Sequence, residues 1–373
     1  GSLEIFNDLW KFDGANWSFE SGKSTINNSG VYSAKPGTAS TAIYPGARSD
    51  SATWVDATGN LWLFGGDGYD SAGVSGSLND LWKYQPSTKK WTWLNGSNLK
   101  SNSGSYSLNA GTALSTNLPP SRKGSSSWLD NTGNLWLFGG YGYPGNVGAV
   151  FNDVWKYIPG TNMWIWVSGS KTPGQSGVYT NVGSGVIPGS RALSVNWKDS
   201  AGNFWIFGGL GYDVNGSNNS FPGQGLNDIW KYNPTTKKWA FIAGSTTINN
   251  AGIYGTKGSP TTNNIPGARY SAVSWLDSQN NLWLWGGMAY DVNATRGSIT
   301  DLWKFDGKNW TWMHGNNTVY QAANYGTKGV SSATTIPGSR QGAVSWTNLN
   351  GNLWLFGGEG PGGRKNDLWK YTP

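Results

Sequence analysis

An eight-residue segment, Gly-Asn-Leu-Trp-Leu-Phe-Gly-Gly, occurs five times in this chain with small changes, and it constrains the fold more than any other feature. The copies occupy residues 59–66, 133–140, 202–209, 280–287 and 351–358. Successive copies begin 74, 69, 78 and 71 residues apart. A period of this kind indicates one structural unit that packs against its own copies. The segment is therefore interpreted as a building block of the fold.

Each period contains four short runs of β-strand character, which we call runs a to d. In the first complete period, run a covers residues 48–56, run b 60–66, run c 79–84 and run d 90–94. Run b is apolar throughout, as is typical of a strand covered on both faces, whereas runs c and d alternate as half-buried strands do. The 25 tryptophans all fall within such runs, which favours a role in packing. Four antiparallel strands in each repeated unit predict the blades of a β-propeller.

The order of these motifs resembles the kelch repeat. An apolar strand ends in Gly-Gly, Asn-Asp-Leu-Trp-Lys-Tyr follows, and a tryptophan comes later in run d. The resemblance covers the whole chain and implies an all-β fold, a kelch-type β-propeller of four-stranded antiparallel blades. The periods exceed the usual kelch length of roughly 50 residues, and the surplus lies in loops such as residues 95–121 and 210–226.

Counting the runs predicts five blades in a single domain that spans residues 1–373. The repeat units begin near Arg48, Arg122, Arg191, Arg269 and Arg340. Residues 1–20 supply strands of types c and d, and we expect the N- and C-terminal strands to join in the blade that closes the ring. Run c occurs six times, so one c-type strand is surplus and could mediate self-association. Gly1 and Ser2 resemble a cloning scar.

Composition and charge narrow the classes of partner. The net charge is +7, but the basic residues are spread along the chain, which argues against nucleic acid as a partner. No apolar run reaches the length of about 20 residues that a membrane helix needs, so membrane insertion is not expected. The absence of cysteine excludes disulfides and thiolate metal sites. We expect a bacterial protein that is secreted or at the cell surface, although no signal peptide opens the sequence.

Arginines recur at one fixed position, and they are candidate ligand-binding residues. One arginine opens each run a: Arg48, Arg122, Arg191, Arg269 and Arg340. Two interpretations stay open. Each arginine bonds local carbonyl groups or a local aspartate, or the five form a ring of forked donors that binds a carboxylate, sulfate or phosphate.

Tyrosines recur in two sets of loops that we expect on the same face. Four follow the double glycine, between runs b and c: Tyr69, Tyr143, Tyr212 and Tyr290. Five lie in the long loops between runs d and a: Tyr32, Tyr106, Tyr179, Tyr254 and Tyr325. Tyrosine suits contact with a sugar or a protein, and loops on a rigid scaffold commonly carry binding sites. Regular recurrence also fits a role in anchoring the loops.

Aspartates at the start of run c are expected to be structural, as caps of backbone N–H groups and not as a ring of metal ligands. They are Asp8, Asp80, Asp153, Asp228, Asp301 and Asp367. Oxygen-rich segments at Asp213 and Asp291 could hold Ca²⁺, but both lack the downstream glutamate of a complete calcium loop. No other cofactor is expected. The Gly-Gly pairs precede strands and not helices, so a phosphate-binding loop is excluded.

The kelch resemblance also raises the question of catalysis. Propellers of the galactose oxidase type need copper held by histidines and tyrosines, together with a Tyr–Cys crosslink. This chain has no cysteine and one histidine, His314, so that chemistry is excluded. We therefore expect a protein that is not an enzyme and that binds a glycan or a protein ligand through its long loops.

Two alternatives to this expectation stay open. The first is a structural or adhesive module of a larger bacterial surface protein. The second is a carbohydrate-active enzyme that uses Glu359 with a loop carboxylate, because glycoside hydrolysis commonly needs two converging carboxyl groups. The candidate loop carboxylates are Asp67, Asp70, Asp213 and Asp291.

Overall fold

The computed structural model describes residues 4–180, 185–216 and 224–373, and these residues form an all-β protein. Their one helical element is a short 3₁₀ turn at Pro144–Asn146. In the described part of the chain, no helix is long and apolar enough to cross a membrane. Gly1 and Ser2, and residues 217–219 of the oxygen-rich segment at Asp213, lie outside the described residues.

The chain divides into two compact units, Gly1–Gly174 and Gln175–Pro373. We number the repeats by their runs: repeat 1 covers residues 48–95 and repeat 2 residues 122–168, both in unit 1. Repeats 3, 4 and 5 cover residues 191–243, 269–314 and 340–371, all in unit 2. The single domain and the closing blade join residues of both units, and they stay predictions.

Unit 1 begins with a hairpin and continues with two larger antiparallel sheets. The hairpin strands are β1 (Leu9–Phe12) and β2 (Trp17–Ser21). The strands around repeat 1 are β3 (Ala39–Ser40), β4 (Arg48–Ser49), β5 (Ala52–Val55), β6 (Leu61–Tyr69), β7 (Ser75–Gln85) and β8 (Lys90–Asn95). Those of repeat 2 are β9 (Ser126–Leu129), β10 (Leu135–Gly142), β11 (Ala149–Ile158) and β12 (Met163–Ser168). The order β12-β11-β10-β9 confirms the predicted four-stranded sheet.

Unit 2 repeats this pattern three times. Repeat 3 has β13 (Arg191–Ala192), β14 (Val195–Lys198), β15 (Phe204–Gly211), β16 (Gly225–Asn233) and β17 (Lys238–Ala243). Repeat 4 has β18 (Arg269–Tyr270), β19 (Val273–Leu276), β20 (Leu282–Trp285), β21 (Met288–Tyr290), β22 (Arg296–Ser298), β23 (Leu302–Phe305) and β24 (Trp310–His314). Repeat 5 has β25 (Val344–Thr347), β26 (Leu353–Phe356), β27 (Glu359–Gly360), β28 (Gly363–Arg364) and β29 (Leu368–Tyr371).

The apolar run b is an inner strand of each sheet, as its composition predicts. In repeat 2 this strand, β10, pairs with β9 on one side and with β11 on the other. The residues from Leu135 to Gly140 are all buried. Because side chains of a strand point alternately to the two faces of the sheet, burial of every residue means that both faces are covered. This explains why the sequence is apolar without a break.

The double glycine after run b lets neighbouring repeats approach each other closely. Gly65 and Gly66 have positive φ angles of 63° and 99°, and the strand bulges between Phe64 and Gly66. The N–H of Gly66 donates to the carbonyl oxygen of Arg122, in the next repeat, at 2.9 Å. A Cβ atom at Gly65 would lie 2.6 Å from that oxygen. The glycines thus serve the backbone approach that the sequence predicts.

Tryptophans fill the space between successive repeats. Trp155 and Trp164 of repeat 2 are completely buried, and they share a core with Trp54 and Phe64 of repeat 1. The indole Nε1 of Trp54 donates to the carbonyl oxygen of Trp128 at 3.0 Å. Unit 2 contains two corresponding cores, one between repeats 3 and 4 and one between repeats 4 and 5. These contacts support the interpretation of the tryptophans as packing residues.

Candidate functional site

Each repeat buries one arginine of run a against one aspartate of run c. The pairs are Arg48–Asp80, Arg122–Asp153, Arg191–Asp228, Arg269–Asp301 and Arg340–Asp367. In repeat 2, Nη1 and Nη2 of Arg122 donate to the two oxygens of Asp153 at 2.6 and 2.8 Å. Nη1 also donates to the carbonyl oxygen of Gly139, and Nε to that of Pro120. The guanidinium therefore lies inside the sheet, bonded as the structural interpretation expects.

The same aspartate also accepts a tyrosine and a tryptophan. The Tyr106 hydroxyl and the Trp155 Nε1 each donate to Oδ2 of Asp153 at 2.7 Å. Burial, followed by the charge of Asp153, raises the pKa of Tyr106. The aspartates are acceptors, as predicted, but the donors observed are side chains instead of the backbone N–H groups that we expected. The arginine and the aspartate of each pair lie about 30 residues apart in sequence, so no local sequence pattern links them.

The corresponding contacts recur in every repeat. The hydroxyl groups of Tyr32, Tyr179, Tyr254 and Tyr325 donate to Asp80, Asp228, Asp301 and Asp367. The loop tyrosines between runs d and a thus anchor their loops. Ligand binding by the arginines stays a prediction, and the observed geometry gives it no support, because the guanidinium groups are bonded within the protein.

The four tyrosines after the double glycine are placed differently from one another. Tyr143 has 43% of its surface exposed, whereas Tyr69, Tyr212 and Tyr290 are half-buried. The Tyr141 hydroxyl donates to that of Tyr143. Among these four predicted ligand-binding residues, Tyr143 therefore offers the most surface to a ligand.

A cluster of ionisable groups lies where repeats 1 and 2 meet, and Tyr143 joins it through the hydrogen bond with Tyr141. We call it the acid–base cluster: Asp50, Asp67, Lys123, Tyr141 and Tyr143. Lys123 Nζ donates to Asp67 Oδ2 at 2.6 Å, and both side chains keep about a third of their surface exposed, 28% and 34%. Lys123 and Tyr141 are joined by two backbone hydrogen bonds of 2.7 and 2.9 Å. Two carboxyl groups, an amine and two phenols thus share one partly exposed region of unit 1.

The surrounding protein raises the pKa of two members of the cluster, Asp50 and Tyr141. Asp50 is exposed to solvent, yet partial desolvation by the surrounding protein raises its pKa, Lys123 opposes the shift, and Asp67 adds to it. The pKa of Tyr141 is also raised, first by burial and then by its hydrogen bond with Tyr143. A carboxyl group with a raised pKa beside a second carboxylate is an arrangement found in acid–base catalysis.

The left-handed backbone conformation at Asp50 is a feature of the fold and is not specific to the acid–base cluster. Asp50 has a φ of 55°, and Leu193 and Ser271 take similar values at the same position of repeats 3 and 4. In repeats 2 and 5 the position is Gly124 or Gly342, also with positive φ. The left-handed backbone is therefore common to the repeats, whereas the carboxyl group at this position is particular to repeat 1.

Sequence reasoning named Asp67 and Tyr143 but missed Asp50, Lys123 and Tyr141. The missed residues lie one or two positions after the run a arginine, or directly after the double glycine. Both positions vary strongly between otherwise similar repeats, with Asp67, Tyr141, Leu210, Met288 and Glu359 after the double glycine. Variation at a fixed position of a regular array is the signal that could have found them.

Glu359 and the other loop aspartates form no such cluster with one another. Glu359 is paired in register with Arg364 and bonded through its backbone to Gln341 at 2.9 Å. Asp291 is buried, and its Oδ1 accepts the backbone N–H groups of Asn293 and Thr295. Asp70 is buried and holds its own loop in the same way. These aspartates stabilise loops, so they are poorly placed to partner Glu359.

Metal binding finds no arranged ligand set in the described residues. Asp213 is buried, and its Oδ1 accepts the backbone N–H of Asn215 at 2.9 Å. Within residues 4–180, 185–216 and 224–373, no group of three or more histidine, aspartate or glutamate side chains is placed to hold a metal ion. Calcium at Asp213 or Asp291 stays a prediction.

Comparison with known proteins supports the fold and bears on catalysis. No protein-family model matches the chain. The solved structure of YjhT is similar over 98% of this chain and 94% of its own, with a TM-score of 0.55 and 15% sequence identity. The N-acetylneuraminate epimerases of Escherichia coli (strain K12) and Shigella sonnei (strain Ss046) are 37% identical over 93 residues, 20% of this chain. The match spans 25% of the length of these relatives.

The relatives contradict the expectation that the protein is not an enzyme, because their name is that of an enzyme. The expectation depended on the missing cysteine and the single histidine, which exclude copper chemistry of the galactose oxidase type. Acid–base catalysis needs neither residue and can use aspartate, lysine and tyrosine. The chain has the kelch-type β-propeller fold, and a fifth of it is similar to enzymes named N-acetylneuraminate epimerase.

Proposed function

We propose that the chain binds a sugar and catalyses proton transfer on it, with the acid–base cluster of unit 1 as its site. The observation that carries this proposal is the cluster itself, in which Asp50 has a raised pKa beside the ion pair of Asp67 and Lys123. The name of the partial relatives supports a sugar as substrate and epimerisation as the reaction class.

The groups of the cluster are suited to different catalytic roles. A raised pKa keeps Asp50 protonated to a higher pH than an ordinary carboxyl group, so it is suited to act as a general acid. Asp67, which is partly exposed, is suited to accept a proton from a sugar hydroxyl. The exposed ring of Tyr143 offers an apolar surface with a hydroxyl group, as sugar-binding sites commonly do.

Charge supports an acidic sugar as the substrate. N-acetylneuraminate, the sugar in the name of the relatives, carries a carboxylate, and the net charge of this chain is +7. A positive protein attracts an anionic ligand, and salt weakens that attraction. Lys123 is the basic residue of the cluster and lies where a substrate carboxylate would compete with Asp67.

The experiment measures how fast the epimers of N-acetylneuraminate interconvert, by proton NMR, with and without the purified chain. The wild-type chain is expected to accelerate the interconversion. Asp50→Asn and Lys123→Met are expected to reduce the acceleration at least tenfold. The control is Glu20→Gln, which changes a carboxylate of an exposed ion pair with Lys89 outside the cluster and leaves the rate unchanged. A wild-type chain that neither accelerates the reaction nor binds the sugar would refute the proposal.

A further inference from the structure

Unit 2 contains a cleft of about 520 Å³ beside the outer strand of repeat 3. Its walls come from the end of β17, the following loop, and the turn before β24 in repeat 4. The polar residues that line it include Asn227, Ser245, Asn250, Asn264, Asn309 and Trp310. The cleft lies within unit 2, whereas the acid–base cluster belongs to unit 1.

At the equivalent place in unit 1, two asparagines bridge the neighbouring repeats, and this pair is missing beside the cleft. Between repeats 1 and 2, Asn95 Nδ2 donates to the carbonyl oxygen of Asn162 at 3.4 Å. Asn162 Nδ2 donates in return to the carbonyl oxygen of Leu94 at 3.2 Å. When the repeats are aligned on Gly96 with Gly244, and on Trp164 with Trp310, the two asparagines correspond to Ala243 and Lys308. Neither residue has a side-chain amide that could form these bridging hydrogen bonds, and both line the cleft.

Two polar atoms of the cleft walls are buried without a hydrogen-bond partner among the described residues. They are Oδ1 of Asn309 and Nε1 of Trp310. Trp164 Nε1 in repeat 2 is unpartnered in the same way, so the indole is a shared feature of the repeats. Met163 occupies the position of Asn309 in repeat 2, so the fold does not require an amide there. An unpartnered amide oxygen at this position is therefore particular to repeat 4, and an unsatisfied buried acceptor suggests a ligand donor.

The lining also indicates the chemical class of ligand. Side-chain amides and hydroxyls both donate and accept hydrogen bonds, as sugar hydroxyl groups do. None of the described residues that line the cleft is a carboxylate, and the single charged one, Lys308, is exposed. Ile253 is 54% exposed and provides an apolar surface beside Ile265. A volume within the range of roughly 300–1,000 Å³ is usual for small-molecule sites.

We propose that this cleft is a second carbohydrate-binding site, which takes a neutral saccharide through its asparagine side chains. The site is independent of the proposed catalysis, because none of its residues belongs to the acid–base cluster. A sugar hydroxyl group donates to Asn309 Oδ1, and the apolar face of the ring packs on Ile253. This site gives the chain a means of holding an uncharged glycan while the acid–base cluster handles an acidic sugar.

The test uses the complete chain and uncharged trisaccharides of glucose, mannose, galactose and N-acetylglucosamine, with binding measured by saturation-transfer NMR and titration. At least one probe is expected to bind. Asn309→Met gives repeat 4 the residue of repeat 2, and the double variant Ala243→Asn/Lys308→Asn restores the bridging pair of unit 1. Each is expected to weaken binding at least tenfold. The control Asn95→Ala removes an amide in unit 1 and leaves binding unchanged.

Thermal melting shows which variants are folded, and either cleft variant suffices for the comparison. The proposal is overturned if no trisaccharide binds. It is also overturned if both cleft variants bind as the wild type does. Epimer interconversion by the cleft variants separates this proposal from the proposed function, because it is expected to continue at the wild-type rate.

Discussion

The buried arginine–aspartate pair is the interaction on which each repeat most depends. Arg122 and Asp153 have no exposed side-chain surface, so each compensates a charge that water cannot reach. Removing one partner of such a pair leaves an unpaired buried charge, which costs about 3–5 kcal/mol. Tyr106 and Trp155 would keep donating to a carboxylate that has lost its counterion.

We predict that Arg122→Met lowers the free energy of unfolding by about 3–5 kcal/mol, measured by equilibrium urea unfolding. The control Lys89→Met disrupts the exposed pair with Glu20 and costs less than about 1 kcal/mol. The double variant Arg122→Met/Asp153→Leu recovers part of the loss, because no charge remains buried. Equal effects of Arg122→Met and Lys89→Met would contradict the structural role of the pair.

A second prediction concerns pH and Asp130, which lies in the turn between β9 and β10. Burial tends to raise its pKa, but hydrogen bonds from Trp136, Asn134 and Thr132 lower it to about 2. Because the folded pKa lies below the ordinary value of about 3.9, the carboxylate stabilises the fold above that value. This stabilisation is lost as the pH falls from about 4 towards 2.

Asp130→Asn is expected to make the free energy of unfolding less dependent on pH across this range, as measured by urea unfolding at several pH values. The substitution is compatible with the turn, because Asn348 occupies the same position in repeat 5 and accepts the N–H groups of Asn350 and Asn352. An unchanged pH dependence would show that Asp130 does not have a lowered pKa in the folded state.

The strand of run b and its double glycine determine how closely two repeats approach. Gly65 has a φ of 63°, and a Cβ atom there would lie 2.6 Å from the carbonyl oxygen of Arg122. Gly59, at the other end of the same segment, has a φ of 79° but nothing within 4 Å of a Cβ atom. Both glycines have a positive φ, but only Gly65 is crowded. Substituting each in turn therefore distinguishes the cost of backbone strain from the cost of crowding.

We predict that Gly59→Ala costs about 1 kcal/mol through backbone strain alone, and that Gly65→Ala costs clearly more. The additional loss arises because the strand must move away from repeat 2 to relieve the contact. Urea unfolding of both variants gives the comparison. Similar losses for the two variants would mean that the close approach does not limit packing between repeats.

Much of the architecture follows from patterns that the sequence displays directly. The repeated apolar run predicts the inner strand, and the double glycine predicts a close approach, because both depend on residues next to each other in sequence. The pairing of Arg122 with Asp153 could be stated only as an alternative, since the partners lie 31 residues apart. The added strands β3, β21, β22, β27 and β28 were not predicted, because they lie in loops without regular alternation.

The candidate site was predicted less completely than the fold. The acid–base cluster takes Asp50 and Asp67 from repeat 1 and Lys123 from repeat 2, and only the register of the strands brings them together. These charged residues are far apart in the sequence, so they form no local sequence motif. The cleft of unit 2 was missed because it depends on two substitutions, Ala243 and Lys308, at positions where repeats 1 and 2 have asparagine.

The protein has the kelch-type propeller fold, and a few residues at fixed positions differ between its otherwise uniform repeats. We propose that one such set, the acid–base cluster, acts on a sugar. If Asp50 is the general acid, activity requires its protonated form, whose population falls as the pH rises through the raised pKa.

The most direct measurement is the pH dependence of N-acetylneuraminate epimer interconversion, followed by NMR for the wild type and for Asp50→Asn. We predict that the wild-type rate decreases as the pH rises above the pKa of Asp50, and that Asp50→Asn is much slower and lacks this decrease. An Asp50→Asn variant with the wild-type rate and pH profile would contradict the role of Asp50 as general acid.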